Sequence, residues 1–268
     1  MKVSENHTQE ISDVTIKTDV NRLEIKIEDI QLDIKEKIQD ILKEERLVVL
    51  GEFSARINHD LRNPLAIIMN AASIIKEKDL TREQKSNQCD IIDRAIFRIT
   101  HQIEDVLDFV ELQNLEIRSC SISKIIENAW SEIKFSKNAT ELHVKGNKNT
   151  RVQGDQEQLK IAFKNILLNS VQVMNHQGRI DITISEITNF VRIEIKDNGP
   201  GISEDIISKI FEPLFTTKQT GSGLGLVSCK NIIESHKGRI SVNRKTTKGT
   251  KFVVELPKNL HDVFDNRD

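Results

Sequence analysis

The chain has 268 residues, with 39 Lys plus Arg against 41 Asp plus Glu and a formal net charge of −2 at pH 7. That length accommodates one or two compact domains plus an elongated element, and the near balance of charge, without a basic run or a basic aromatic patch, gives no reason to expect nucleic-acid binding. The three cysteines, Cys89, Cys120 and Cys229, lack CxxC spacing, and no run approaches the roughly 18 apolar residues of a membrane span, so zinc sites, disulfide frameworks and membrane insertion are not expected.

Residues 1–20 are polar and aperiodic, which predicts a disordered N-terminus. This start is not a signal peptide, so a soluble, cytoplasmic protein is expected. From there Leu23, Ile27, Ile30, Ile34, Ile38 and Ile41 recur at steps of three or four, the mark of a long amphipathic helix. The steps from Ile34 to Ile41 depart from a strict heptad. A free-standing charged helix would have this pattern too. Because it runs through Leu47, Val48 and Leu50 towards the next helix without a proline, a parallel dimeric coiled coil over residues 21–46 is the reading adopted.

Between Glu52 and Ile75, the residues Leu61, Leu65, Ile68, Ala72 and Ile75 follow the a/d pattern of a bundle helix. At about 100° per residue, His59 falls on the far side of that stripe and faces solvent, with Asn63 one turn further on. Exposed histidines are common and most do nothing. Here Asp60 follows directly and Pro64 lies inside the helical pattern, a defect of roughly 3 kcal/mol that a helix rarely keeps without a use. Thr81 and Gln84 then make a capping box for a second helix, whose Ile92, Ile96, Ile99, Ile103, Val106 and Val110 alternate steps of four and three. Two antiparallel helices with one stripe each cannot hide their apolar surface alone. Pairing two hairpins as a four-helix bundle does so, which predicts a homodimer.

From about Ser119 the period breaks. Ile122 to Phe135 reads as a helix with Trp130 in the core, Glu141 to Lys145 as a short strand, and Asp155 with Gln158 as an N-cap pair opening a helix through Val173. Arg179 to Ser185 and Val191 to Lys196 alternate like the arms of a hairpin with Asn189 in the turn. A helix from about Leu224 to Ser235 and strands near Arg239 to Asn243 and Thr250 to Leu256 follow. Strands interleaved with helices predict one sheet backed by helices.

Several polar positions in this half carry chemistry. Asn165 and Asn169 lie one turn apart, so their amide oxygens can face one hard cation of the Mg²⁺ type; taken alone, an asparagine pair on a solvated face is the better account. Asp197 offers a carboxylate that can accept from an exocyclic amine. Asp-Asn-Gly is also a good hairpin turn, but Pro200, Gly201 and Ser203 lead into Glu204, Asp205, Ile206, Ile207 and Ile210, a helix start. Five of the eleven glycines lie between Gly199 and Gly225, where backbone amides and a helix N-terminus can approach phosphate oxygens. The spacing is not that of a Rossmann turn, and no GxxxxGKS loop occurs.

In order along the chain, Phe53, His59, Asp60, Arg62, Asn63, Pro64 and Leu65 resemble the H-box of two-component sensor histidine kinases. The stretch from Asn165 to Ser170 resembles the N-box, Asp197 to Gly201 the G1 box, Phe211 to Phe215 the F-box, and Gly221 to Leu226 the G2 box. The last four together resemble the Bergerat ATP-binding fold of histidine kinases, Hsp90 chaperones, gyrase-type topoisomerases and MutL proteins. The resemblance spans about residues 47 to 257. NSVQVM and FEPLFTTK resemble the soluble or nitrogen-regulator-like branch, with Ser170 in place of the usual alanine.

The resemblance implies an α+β fold: a helical hairpin forming a dimeric four-helix bundle (47–117), then a Bergerat-type α/β sandwich (118–258) and a tail (259–268). It implies ATP-dependent autophosphorylation of His59, with Asp60 orienting the ring and accepting its proton, and transfer to an aspartate of a separate response regulator. ATP and Mg²⁺ would be bound by Asn165, Asn169, Asp197, Gly199, Gly201, Phe211, Phe215, Lys218, Gly221, Gly223, Leu224 and Gly225, with Asn169 as the metal ligand. Phe211 and Phe215 are equally compatible with core anchors, and Lys218 either neutralises a phosphate or is a solvated lysine. Asn63 either positions a water for dephosphorylating the regulator or satisfies backbone groups freed around Pro64. The rival functions are a nonenzymatic or phosphatase-dominated signalling scaffold, and a Bergerat ATPase or serine kinase that would leave the H-box unexplained.

Overall fold

The computed structural model describes residues 33, 37, 40–51, 54–76, 80–110, 115–133, 139–218, 221–243 and 248–259. The expected disorder of residues 1–20, the spacing from Leu23 to Ile38, Phe53, most of the turn between Lys76 and Leu80, and the tail beyond residue 259 lie outside these. The chain divides into two compact units between Gly51 and Glu52. In the first, residues 40–51 are helical and expose Ile41, Leu42, Leu47 and Val48.

The second unit opens with a helical hairpin, α1 (Ser54–Ile75) and α2 (Arg82–Val110). The capping box forms in both directions: Gln84 N–H donates to Thr81 Oγ1 at 3.2 Å, and Thr81 N–H donates to Gln84 Oε1 at 2.9 Å. Pro64 sits inside α1 and is buried, so its missing N–H is hidden within an unbroken helix. The hairpin buries Ala71, Ala95 and Phe109, while Leu65, Ile96 and Ile103 of the expected stripes stay about half exposed. One hairpin does leave apolar surface uncovered.

The α/β part contains β1 (Arg118–Ser121), α3 (Ile122–Glu132), β2 (Ala139–Gly146), β3 (Arg151–Gly154) and α4 (Gln156–Val173). It continues with β4 (Gln177–Ile187), β5 (Phe190–Asp197), α5 (Glu204–Ile207), α6 (Gly225–Ser235), β6 (Arg239–Val242) and β7 (Lys251–Pro257). The main sheet has the order β2-β4-β5-β7-β6, parallel at β2–β4 and antiparallel elsewhere. Its register pairs Ile182 with Ile195 and Ile193 with Val254, so the alternating apolar residues of three strands line one face. Each such fully buried aliphatic side chain contributes about 1.5–3 kcal/mol. Helices α3, α4 and α6 cover that face, with Phe163, Ile166 and Leu167 fully buried, and Trp130 packs partly buried against the same core. On the opposite face, Arg192 pairs with Glu255 at 2.6 Å and Lys251 with Glu194 at 2.7 Å. This two-layer arrangement is the expected α+β architecture.

Strands β1 and β3, not anticipated from the sequence, pair as a separate two-stranded antiparallel sheet with Cys120 opposite Val152. Asp155 caps α4 as expected, its Oδ1 accepting from Glu157 N–H and Gln158 N–H at 3.0 and 3.1 Å. Its Oδ2 also accepts from Glu116 N–H at 2.9 Å, which ties the cap to the linker after α2.

Candidate functional site

The polar face of α1 carries His59, whose side chain is 72% exposed, and Asn63, also exposed. Asp60 is largely covered, and its Oδ1 lies 3.4 Å from His59 Nδ1. A carboxylate at Nδ1 favours the tautomer with the proton there and leaves the Nε2 lone pair directed to solvent. Asp60 also faces a small cleft shared with Gln102 of α2 and with Leu214 and Ser222 of the α/β part. The helix bearing the histidine thus abuts the glycine loop.

A cavity of about 500 Å³ lies between α4, the end of β5, the segment before α6 and one side of α2. It gathers Asn165, Asn169, Asp197, Gly201, Phe215, Lys218, Gly221, Gly223 and Gly225. Three other expected residues support it from behind. Gly199 donates its N–H to Asp197 Oδ1 at 2.9 Å, Phe211 packs on the core, and Leu224 is fully buried at the N-cap of α6. His59 is not among the residues lining the cavity.

Asp197 ends β5 almost fully buried, and its Oδ1 accepts a second bond from Thr250 N–H at 3.0 Å. Two backbone donors on one oxygen fix the carboxylate plane and leave Oδ2 for a ligand donor. The approach of the 248–250 segment requires Gly249, with φ +78°, because a Cβ there would collide with the Asp197 carbonyl oxygen. Gly223, with φ +71°, likewise lies against the backbone of Leu214, and Leu214 N–H donates to Gly223 carbonyl at 3.0 Å. The segment after Phe211 is thereby closed onto the glycine loop.

On α4, Asn165 is buried and its Nδ2 has no hydrogen-bond partner. A buried orphan donor at a cavity wall suits a ligand acceptor. One turn on, Asn169 Oδ1 and Gln172 Oε1 each accept from Lys218 Nζ at 2.6 Å. Burial lowers the Lys218 ammonium to about 8, against a smaller opposing pull from Asp105. Two amide oxygens converging on a cation form the donor set a hard metal ion would also use.

The sequence reading missed the α2 wall of this cavity, formed by Arg94, Phe97, Arg98, His101, Gln102 and Asp105. Asp105 is buried and accepts from the Ser222 hydroxyl. Its carboxyl is pushed above the ordinary value by burial, with His101, the Ser222 bond and Lys164 acting against this. Their spacing of three and four residues on α2 was the available signal, but it reads as a solvated stripe until the partner surface is known. Gln172, Gly249 and Thr250 were also missed, since their roles arise from contacts distant in the chain.

Residues 49–115 match the family described as His Kinase A (phospho-acceptor) domain, and residues 154–260 match the Histidine kinase-, DNA gyrase B-, and HSP90-like ATPase family. Sensor histidine kinase ZraS of Escherichia coli (strain K12) is 30% identical over 230 residues, covering 84% of this chain and 50% of ZraS. Sporulation kinase A of Bacillus subtilis (strain 168) is 33% identical over 233 residues, covering 84% of this chain and 38% of that kinase. The chain thus spans half the length or less of these two relatives. The crystal structure of histidine kinase ThkA in complex with response regulator protein TrrA superposes with a TM-score of 0.67 at 27% identity, covering 84% of this chain and 67% of that one. An acceptor domain with an exposed histidine, followed by an ATPase domain of the histidine-kinase type, places this chain in the family of two-component sensor histidine kinases.

Proposed function

We propose that the protein uses ATP to phosphorylate His59 and passes the phosphoryl group to an aspartate of a response regulator, working as a homodimer through the 47–117 hairpin. The observation that carries this reading is one chain presenting a solvent-facing imidazole backed by Asp60 together with a cavity that gathers Asp197, Asn165 and Asn169. His59 Nε2 attacks the γ-phosphorus, the bond to the bridging oxygen breaks, ADP departs, and Asp60 takes the Nδ1 proton. Asp197 Oδ2 accepts from the adenine amine. Asn165 Nδ2 donates to the nucleotide. The amides of Gly221, Gly223 and Gly225 and the N-terminus of α6 face the phosphates. Mg²⁺ held by Asn169 and the nucleotide's own phosphates would offset charge there. Lys218 then moves from Asn169 to a phosphate oxygen. Because His59 does not line the cavity of its own chain, phosphorylation within one chain requires the ATPase domain to shift along the hairpin.

Incubation with γ-labelled ATP and Mg²⁺ is expected to give acid-labile, base-stable label in the wild type and none in His59→Gln, with nucleotide binding retained. A nonenzymatic scaffold binds nucleotide without taking label, and label persisting in the variant would exclude His59. Asn63, exposed one turn from His59, positions a water on the regulator's phosphoaspartate. Asn63→Ala is then expected to label nearly normally while the phosphorylated regulator decays more slowly, whereas joint loss of both activities would assign Asn63 to the backbone around Pro64.

A further inference from the structure

Two regions that would receive the nucleotide already hold ions belonging to the protein. At the N-terminus of α6, where free N–H groups and the positive dipole end favour an anion, the anion that arrives is the carboxylate of Asp105 from α2. Asp105 is 5% exposed, its Oδ2 accepts from Ser222, and its Oδ1 has no hydrogen-bond partner. That Oδ1 lies 3.6 Å from the position a Cβ on Gly225 would take, at the first residue of the helix. On the asparagine side, Lys218 Nζ sits between Asn169 Oδ1 and Gln172 Oε1. An anion stands at the glycine loop and a cation at the amide oxygens, the same charges that a metal–triphosphate would bring to those places.

We propose that Asp105 and Lys218 form an internal mimic of the metal–triphosphate, so that nucleotide binding expels Asp105 and releases α2 from the glycine loop. This rests on the ATP-binding reading above. A buried carboxylate at the helix N-terminus repels an arriving triphosphate, and both compete for Ser222 and the amides beside it. Ser222 already links the two parts, since its Oγ donates to Asp105 and accepts from Leu224 N–H at 3.2 Å. The contacts that remain beside it include Ser228 Oγ to the Asp108 carbonyl at 3.5 Å and the partly exposed Lys164–Glu104 pair at 3.0 Å, both weaker in kind. Losing the Asp105 contact therefore frees the hairpin for the shift that brings the nucleotide to His59. The consequence is ordered use: an empty site holds the domains together, and a filled one lets them move.

Asp105→Asn tests this, because the amide keeps an acceptor for Ser222 and the same shape without the charge. With the full chain and a nonhydrolysable ATP analogue plus Mg²⁺, Asp105→Asn is expected to bind about tenfold more tightly than wild type, and Asp93→Asn, on the exposed side of α2, to bind unchanged. In hydrogen exchange, the analogue is expected to speed exchange over residues 101–110 of the wild type and to do so less in Asp105→Asn. Equal or weaker binding by Asp105→Asn overturns the proposal, as does unchanged exchange over 101–110 in the wild type on adding the analogue. If the variant does not fold, the wild-type exchange result decides. Failure of the wild type to bind the analogue would instead overturn the nucleotide reading.

Discussion

On the proposed reading, Asp197 concentrates adenine recognition in one carboxylate. Its Oδ1 is committed to Gly199 N–H and Thr250 N–H, so an amide in its place can keep both bonds while presenting Nδ2 where Oδ2 stood. A donor would then face the donor of adenine. Asp197→Asn is expected to fold normally and to lose ~10–100-fold in nucleotide affinity, the effect of losing a charge-assisted hydrogen bond of about 1.5–3 kcal/mol. Titration with a fluorescent ATP analogue checks this, and wild-type affinity in the variant would remove Asp197 from adenine recognition. Asp197 was legible in the sequence because Asp-Asn-Gly-Pro-Gly cannot continue a strand and leads into a helix start. Asp105 was not, since its partner Ser222 is 117 residues away and nothing local marks an acidic residue on a helix face as buried.

Among the elements, those with an intrinsic start or a long period could be read in advance. The reciprocal Thr81–Gln84 box and the Asp155 cap fix the starts of α2 and α4, and eight or more alternating residues in β4 and β5 fix their faces. Strands β1 and β3 are four residues each, too short for alternation to stand out, and they exist because they pair with each other. What anchors this small sheet is also non-local. His236, fully buried at the C-terminus of α6, accepts at Nε2 from Asp155 N–H at 2.9 Å and donates from Nδ1 to the Ile232 carbonyl at 2.8 Å. Protonating Nε2 would set two donors against each other. Burial accordingly holds the imidazole below its ordinary value, with the Ile232 bond and Asp155 opposing. The unfolded chain therefore takes up the proton first as pH falls below about 6.5, and the stability due to neutral His236, full above that pH, declines towards the folded-state value. Urea unfolding at pH 7.5 and 5.5 is expected to show a larger loss for wild type than for His236→Gln, although the variant is less stable at pH 7.5 by about 1–3 kcal/mol. Equal losses would mean that His236 does not carry the acid sensitivity.

For the whole molecule, the hairpin divides its labour between two faces of α2. One face, with Asp105 buried and bonded to Ser222, meets the remainder of the same chain, and six residues of this helix line the nucleotide cavity. Another carries Ile96, Ile103 and Leu107 at 49, 47 and 50% exposure, and α1 adds Leu65 at 50%. Aliphatic side chains left half in water on both helices of a hairpin lose roughly half of the 1.5–3 kcal/mol each could contribute, a sum that a second hairpin recovers. Ile103 is the most informative position, because it belongs to this exposed set and does not line the cavity. A glutamate there places a charge inside the expected interface without touching Asp197, Asn169 or Asp105. Ile103→Glu is therefore expected to sediment as a monomer at micromolar concentrations where the wild type is expected to be a dimer, while binding the ATP analogue with wild-type affinity. A dimeric variant would place the interface elsewhere, and a variant that lost nucleotide binding as well would show that the two faces of α2 are not independent.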